Sequence, residues 1–550
     1  MKKLIKGFML TILVVVIMGI YYYVTLPAIS FRSPGLWWFI ITALLIIGVG
    51  VWIGKSIKEH RRDANVIKRG MQIELHMPIA VKCIFLLAAV LFVVYIVGCL
   101  LSSPILNAGK YQKLLTVEER NFTEDIAEAD FNKIPLLDKE SASILGERKM
   151  GSMVEMVSQF EVGDNYTQIN LGGTPVRVTP LVYASFFKWL TNQSNGIPAY
   201  IKIDMATQNT ECVKLPEGQE IKYSESELFN RNIYRHLRFN YPTYIFHDQI
   251  FFEIGEDGVP YWVCPVKKYN VGLFGGETVG RVVICNASTG ECTDYAVENV
   301  PQWVDKVYQA ELLTGLYDYY GTLKHGFLNS VFAQKDCLQT TNGYNYIAMD
   351  DDVWLYSGVT SVSGDQSNVG FVLMNQRTME TRFYKIEGAI EDSAMSSAEG
   401  QVQNLGYLAS FPLLVNVSGE PTYFMALKDD AGLVKKYAMV NIQKYQWVAI
   451  GDNVNECRKN YTFLLRTNGI TGTGTSSDET EAKGKIKAMA PIVIENNTHY
   501  YMYLEENDVV YDFDMTNTDL LPIITYQAGD AIKVSYVEED GMRKVQSIIK

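Results

Sequence analysis

The sequence predicts a membrane-anchored α+β protein with three N-terminal transmembrane helices, about four units of a helix followed by an antiparallel sheet, and a small C-terminal β-barrel. Three observations lead there: long apolar runs open the chain, a strand–turn–strand pattern recurs across its middle, and five short β-rich runs close it. At roughly 100–200 residues per domain, the length of 550 residues allows about three to five units. With 48% hydrophobic and 20% charged residues the chain is neither disordered nor a coiled coil, and 8 cysteines are too few for a disulfide-dense scaffold.

The apolar runs are Gly7–Val24, Gly35–Gly54 and Ile79–Leu101. Each is close to the ~20 residues a helix needs to cross the hydrocarbon core. Lys82, the one charge inside them, lies in the first turn of the third run and can reach the interface along its own stem. Tyr21, Tyr22, Tyr23, Trp37 and Trp38 sit at run ends, where a headgroup belt places aromatic rings. No small-residue cleavage site follows the first run, which favours a span over a signal peptide. Lys2, Lys3 and Lys6 precede the first run, and Lys55, Lys58, Arg61, Arg62, Lys68 and Arg69 lie in the basic loop 55–78, whereas Leu26–Pro34 carries only Arg32. The positive-inside rule then puts the N-terminus and the 55–78 loop in the cytoplasm and everything after about residue 102 outside. Lys55–Arg69 reads first as this topology signal, with a lipid or protein contact as the sharper alternative. Charge agrees: residues 1–101 hold 11 Lys/Arg and 3 Asp/Glu, while residues 102–550 hold 38 and 58. An acidic outer region argues against a nucleic-acid partner, which needs a basic face.

After a connector (102–137), the outer region repeats. Ile201-Lys-Ile-Asp204-Met-Ala-Thr207, Val282-Val-Ile-Cys-Asn286-Ala-Ser-Thr289-Gly290-Glu, Phe371-Val-Leu-Met-Asn375-Gln-Arg-Thr378 and the degenerate Tyr437-Ala-Met-Val-Asn441-Ile-Gln-Lys444 each run from apolar strand residues into Asp or Asn. An Asp or Asn side chain starts a turn by accepting from its own backbone two residues on. A second anchor lies upstream: Gly173-Thr-Pro175, Gly258-Val-Pro260 and Gly419-Glu-Pro421 each lead into a β-rich run, with Asp351-Asp352-Val-Trp354 at the matching place in the third unit. Upstream again are helical stretches, Asp138–Phe160, Ser224–Phe239 with a Ser224/Glu227 capping box, Pro301–Phe332 and Ser393–Leu405. The four units span 138–215, 223–298, 301–386 and 392–450.

Helix, then hairpins closing on (Asp/Asn)-x-x-Thr-Gly, resembles the PepSY family of extracytoplasmic bacterial domains. The likeness covers about 310 residues; Asn286–Glu291 matches the closing turn well, and Lys444 stands where Thr is expected. The resemblance implies binding of peptide or polypeptide segments, restraint of peptidases, or service as an envelope module, without enzymatic activity.

Residues 469–484 (GITGTGTSSDETEAKG) read as a linker. The remainder, 485–550, carries five β-rich runs and suits a closed Greek-key barrel of OB type, with a five-stranded SH3-like barrel as the alternative. Tyr500, Tyr501 and Tyr503 divide between barrel core and sheet face, or form a stacking platform.

Reaction chemistry is sparse. No HExxH, CxxC, G-x-S-x-G or P-loop occurs. No catalytic residue, metal ligand set or cofactor is therefore assigned. Asp350–Asp352 has carboxylates for Ca²⁺ but lacks alternating EF-hand spacing, and reads as a hairpin tip. Arg235 and Arg238, beside His236 on a predicted helix, are candidate contacts for an anionic group. Cys285 and Cys292 flank one turn, which makes a cross-hairpin disulfide geometrically reasonable. The expected role is a non-catalytic, multi-pass membrane-anchored binding or scaffold protein of a bacterial envelope, with the lipid bilayer and an envelope protein or peptide as partners. Regulation or inhibition of a secreted or wall-associated peptidase is the alternative.

Overall fold

The structure, a computed structural model, describes all residues except 1, 64–76, 132–133, 136, 350, 363–366, 471–479, 495–496, 506, 516, 540–541 and 550. It opens with α1 (Lys2–Thr25), α2 (Pro34–Asp63) and α3 (Ile79–Ser102). Pro34–Lys55 and Ile79–Ser102 are long and apolar enough to cross a bilayer, and in α1 the apolar stretch among the described residues is Val14–Thr25. Trp38 packs edge-on against Phe92 and Tyr95, joining α2 to α3. Helix α2 continues past its apolar part through Lys55 to Asp63, while Lys68 and Arg69 lie outside the described residues.

The connector is ordered where the sequence showed no element. It forms α4 (Pro104–Gln112), the strand Glu118–Arg120 and α5 (Phe122–Asp125), the last capped by Asn121, whose Oδ1 accepts from Thr123 N at 3.2 Å. The strand adds in parallel to Thr381–Tyr384, so the connector closes the edge of a sheet far along the chain.

Four antiparallel sheets follow, each a meander. In the first, Phe160–Val162 and Thr167–Leu171 flank Thr174–Tyr183, followed by Ala199–Asp204 and Thr210–Lys214. The second runs Phe251–Ile254, Pro260–Val271, Gly275–Asn286, Cys292–Ala296. In the third, Leu338–Thr340 and Asn345–Met349 flank Asp352–Ser361, then come Gly370–Asn375 and Thr381–Tyr384. In the fourth, Leu408–Ala409 and Leu413–Val417 flank Glu420–Lys428, then come Val434–Asn441 and Val448–Gly451. Central strands such as Asp352–Ser361 are buried on both faces, which explains their near-continuous apolar runs.

The same turns recur at the same places. Gly173, Gly258 and Gly419, at φ of 78°, 76° and 80°, enter the long strand of their sheets, counted as the second where two short strands before it share one partner, and Asp351 adopts φ 62° at that position in the third sheet. A side chain there is unfavourable outside Gly, Asn and Asp, so an aspartate is the least costly substitute. The turn residues Asp204, Asn286 and Asn375 each accept on Oδ1 from the backbone N–H groups two and three residues on, at 2.7–2.9 Å. Asn441 accepts from Lys444 N at 2.8 Å across a longer loop. The residue after each of the four donates to the carbonyl of Pro175, Pro260, Val353 or Pro421, tying the third strand to the start of the second.

Helices depart more from expectation. The first is α6 (Lys139–Gly151), capped by Asp138, and it stops at Gly151 while Phe160 already begins a strand. It is followed by α7 (Phe186–Asn192) within the first sheet region. Ser224–Glu227 starts no helix: Ser224 Oγ accepts from Glu227 N at 3.2 Å, but the Glu227 carboxylate turns to Tyr183 Oη and Trp189 Nε1 at 2.7 and 2.8 Å. The helix there is α8 (Ile233–Asn240), capped by Asn232. In place of one helix over Pro301–Phe332, α9 spans only Ala310–Thr322, with a single π-turn at Asn329–Ala333. Next come α10 (Glu391–Gln401), which begins before Ser393, and α11 (Val454–Thr467), which packs on the fourth sheet.

The barrel strands are Thr480–Ile494, Asn497–Leu504, Asn507–Asp514, Ala531–Glu539 and Met542–Ile548, with a 3₁₀ helix, Thr518–Thr525, between third and fourth. They close in the order one, two, three, five, four, the third and fifth being parallel. Part of the expected linker is thus strand, since the first begins at Thr480. Ile486, Met502, Leu504, Tyr511, Phe513 and Val534 fill the interior.

Cys285 and Cys292 form a disulfide across the second sheet's closing turn, with Cα atoms 4.0 Å apart and the two residues directly paired in register. Closing so short a loop removes roughly 2.5 kcal/mol of unfolded-chain entropy. The double substitution Cys285→Ser/Cys292→Ser is expected to lower the denaturation midpoint by that order. Intact-mass analysis after alkylation without reductant should leave these two cysteines unmodified.

Candidate functional site

The first three sheets meet on a strap, residues 304–308. Its backbone N–H groups have no helical or ladder partners. Glu253, fully buried on the second sheet, accepts from Asp305 N and Lys306 N at 3.0 and 2.9 Å. Gln376, in the closing turn of the third sheet, accepts on its carbonyl from Val307 N and Tyr308 N at 3.0 and 2.8 Å, and its side chain donates to Tyr308 O at 3.0 Å. Asp305 in turn accepts from Asn170 N of the first sheet at 2.7 Å. These bonds are why no helix forms before Ala310: the backbone is satisfied by the second and third sheets instead, and the Asp305 side chain ties in the first.

Around the strap lie three acids and three bases with little or no exposure: Glu253, Asp305, Asp352, Arg177, Lys306 and Arg377. Arg377 binds Asp352 through Nε and Nη2, both at 2.7 Å. The Lys306 ammonium sits over the rings of Phe251 and Tyr346, 5.2 and 4.9 Å from their centroids. Arg177 donates to Gln168 Oε1 at 3.1 Å, and its Nε has no protein partner. Burial pushes the Glu253 carboxyl up, against the pull of the two strap N–H groups and Lys306. Burial, then the Glu253 charge, raises Asp305. Burial and then Arg177 bring Lys306 down to about 8. Sequence reading missed this cluster because its members are scattered over five segments; the one local signal is Asp305-Lys306 inside an otherwise apolar stretch.

The predicted contact arginines are used inside the chain. Arg238, on α8, donates from Nε to Leu26 O at 2.9 Å and from Nη1 to Tyr244 O at 2.6 Å. Arg235 lies 4.9 Å from the centroid of the Tyr23 ring. Both therefore face the end of α1 and the α1–α2 loop. That loop is held further by Ile29 N to Pro242 O at 2.7 Å and Arg32 Nη1 to Tyr269 O at 3.1 Å. On the other side, Ser102 Oγ at the end of α3 accepts from Leu273 N and Phe274 N at 3.0 and 3.2 Å. The α1–α2 loop and the α3 exit thus dock on one sheet.

On the barrel, Tyr500 packs toward the interior while Tyr501 and Tyr503 point outward. Tyr501 stacks on His499, 6.1 Å between centroids, and His499 Nδ1 lies 2.8 Å from Asp512 Oδ1. His247 is buried beside Lys267 and Glu277, its Nε2 without a protein partner, and burial followed by Lys267 holds its pKa down to about 3. The Asp248 charge pulls the other way and is outweighed, and Glu277 lies 3.4 Å from Nδ1. His325 pairs with Asp336 on the surface at 3.0 Å, and the adjacent Cys337 thiol is pushed up by burial, opposite to what a nucleophile needs. The remaining thiols Cys212, Cys264 and Cys457 are likewise raised by burial. Of the acidic triplet, Asp350 lies outside the described residues, Asp351 accepts from Asn170 Nδ2 at 2.8 Å and Asp352 is the partner of Arg377. Among the described residues no three His, Cys, Asp or Glu side chains converge as a metal ligand set.

No family model and no curated protein matches the chain. Among solved structures, an apocarotenoid oxygenase/RPE65 chimera aligns at 8% identity over 72% of this chain and 66% of its own, TM-score 0.14. A Synechocystis apocarotenoid oxygenase mutant aligns at 10% identity over 73% and 67%, TM-score 0.14. Bacillus subtilis levansucrase aligns at 10% identity over 78% and 98%, TM-score 0.17. Such scores denote no shared overall fold and carry no functional argument.

Replacing Glu253 by Leu leaves the buried N–H groups of Asp305 and Lys306 without their acceptor, and should cost about 3 kcal/mol in thermal or urea unfolding. Glu253→Gln, which keeps an acceptor, should cost clearly less; equal losses would show that the strap bonds do not matter. His247 binds a proton when unfolded near its ordinary 6.5 but not when folded until about 3. The unfolded state therefore holds more protons in that window, so stability is full above about pH 6.5 and falls toward pH 3. Urea midpoints across pH 4–8 should show this slope, and His247→Phe should flatten it.

Proposed function

We propose that the chain is a multi-pass membrane protein of a bacterial envelope whose three N-terminal helices span the bilayer, and whose outer region is a non-catalytic binding scaffold. Docking of the α1–α2 loop and the α3 exit on the same sheet carries this reading. Two ends on one side require α1 and α2 to cross in opposite senses and α3 to return to the side of the Leu26–Ser33 loop. This is the side opposite the lysines and arginines of the 55–78 loop, in keeping with positive-inside topology. Arg235 and Arg238 then fix the scaffold against its anchor, which leaves the outward barrel strand with Tyr501 and Tyr503 as the contact surface for a protein or peptide partner. The raised thiols and the absence of a paired nucleophile and base among the described residues support a role without catalysis.

The second reading, a regulator of a secreted or wall-associated peptidase built from PepSY-like units and an OB-like barrel, is favoured by the recurrence of the Gly-x-Pro turn in three sheets and the Asp/Asn turn in four.

Protease added to intact cells should degrade residues after 102 and spare α2–α3; full protection of the outer region would overturn the topology. Cross-linking in the membrane followed by capture of the full chain separates the two roles. A peptidase whose activity changes when the chain is deleted favours the regulator, and envelope assembly components favour the scaffold. Hydrolysis of peptide or wall substrate by the purified full chain would overturn both.

A further inference from the structure

The outer region does not merely hang from its helices. Among the described residues after 102, six phenylalanines are exposed: Phe186, Phe187, Phe229, Phe239, Phe332 and Phe463. Five of the six lie on two patches that flank the helix bundle. The first patch is made by α7 and the turn before α8. Phe186, Phe187 and Leu190 project from α7, Phe187 with 74% of its surface exposed, and Phe229 joins them through Trp189 at 6.0 Å between ring centroids. Phe229 leads into α8, whose far end carries Phe239, a ring that stacks on Tyr23 at the end of α1, 6.1 Å between centroids. The second patch is made by Leu328, Val331 and Phe332 after α9, with Ile105 and Leu106 of α4. Helix α4 follows α3 directly, and Tyr111 on it shares a small core with Leu323 and Phe327. Phe332 is 80% exposed.

A third contact sets the depth. The hairpin tip Leu273–Phe274 reaches down the bundle, where Phe274 packs against Tyr95 of α3 at 5.2 Å and Trp37 of α2 at 6.2 Å between centroids. Tyr95 is seven residues before the end of α3 at Ser102, about 10 Å along the helix at 1.5 Å per residue. Trp37 and Tyr95 are ring types that mark the headgroup level of a span. The underside of the second sheet therefore reaches that level, and the patches adjoin the bundle at two places, Phe239 against Tyr23 of α1 and α4 directly after α3. Exposed contiguous apolar surface of this kind is rare on a water-facing protein and marks an interaction site. Its continuity with the lipid-facing surface of α1–α3 fixes the occupant.

We propose that the phenylalanine patches on α7/α8 and on the segment after α9 are inserted in the headgroup layer of the outer leaflet, so that the outer region rests on the bilayer like an interfacial protein. Resting there, aromatic side chains bury their rings at the acyl boundary and hold the four sheets at one height and tilt. The inference rests on the membrane reading above.

The test uses the full chain in vesicles of phosphatidylethanolamine and phosphatidylglycerol, with p-benzoylphenylalanine placed singly at Phe187, Phe229, Phe332, Phe92 and Phe463. Ultraviolet light then cross-links the probe to whatever covers it, and mass spectrometry identifies the adduct. Phe92, on α3, reports the span, and Phe463, exposed on α11 away from both patches, reports background. Lipid adducts at Phe187, Phe229 and Phe332 at least fivefold above Phe463 are expected. Adducts at Phe92 with background yields at Phe187 and Phe332 would overturn the inference and leave the membrane reading standing. Protein–protein adducts at Phe187 and Phe332 would overturn it in favour of an interface between chains. Background yield at Phe92 would overturn the membrane reading and the inference with it.

Discussion

A carboxylate with no exposure, Glu253, holds two consecutive backbone N–H groups of a strap that has no secondary structure of its own. Remove that acceptor and Asp305 and Lys306 lose the bonds that let an irregular segment stay buried. The same segment bonds Gln376 on the third sheet and Asn170 on the first, so one short stretch registers three sheets against each other. Burying six ionisable groups at such a joint is costly unless each is hydrogen-bonded, paired or capped by an aromatic face. Here nearly all are: Glu253 and Asp305 by backbone N–H groups, Asp352 by Arg377, Lys306 by Phe251 and Tyr346. Arg177, with one nitrogen unpartnered, is the member least well satisfied.

The four sheets close into a circuit through such side-chain joints. Asp138 on the first region pairs with Lys428 on the fourth sheet, and Gln208 donates to Tyr437 Oη at 3.0 Å across the same boundary. Asn368, two residues before the third sheet's Gly370–Asn375 strand, donates to Tyr423 Oη of the fourth at 2.9 Å. Burial pushes the Asp138 carboxyl up, but Lys428 and the Ser141 N–H outweigh it and leave its pKa lowered. That ion pair is therefore a net holder of the first and fourth sheets together above the ordinary carboxylate range. A circuit of this kind resists hinge motion, because displacing one sheet breaks contacts on both its sides.

Rigidity has a direction as well. The α1–α2 loop and the α3 exit dock on the second sheet through backbone carbonyls taken by Arg238 and through Ser102, so the circuit is fixed to its helices by hydrogen bonds and not by a flexible tether. Sheets held this way present the same surfaces at the same orientation.

The sequence by itself determined what depends on neighbours along the chain. Apolar runs of span length, the Asp/Asn turns, the glycines entering second strands and the pairing of Cys285 with Cys292 are all set within a dozen residues, where steric limits on φ and local hydrogen bonds decide. The five barrel runs were legible for the same reason, through alternation in segments such as Ile532–Val537. Only the tertiary structure decided the rest. Helical pattern over 301–309 yields to the strap because its backbone groups found partners at Glu253 and Gln376, on two other sheets. Glu227 leaves its capping role for Tyr183 and Trp189, and Arg235 and Arg238 turn inward to α1 instead of outward. In each case a polar group buried by folding takes the partner that folding brings to it, and no spacing in the sequence records which partner that is.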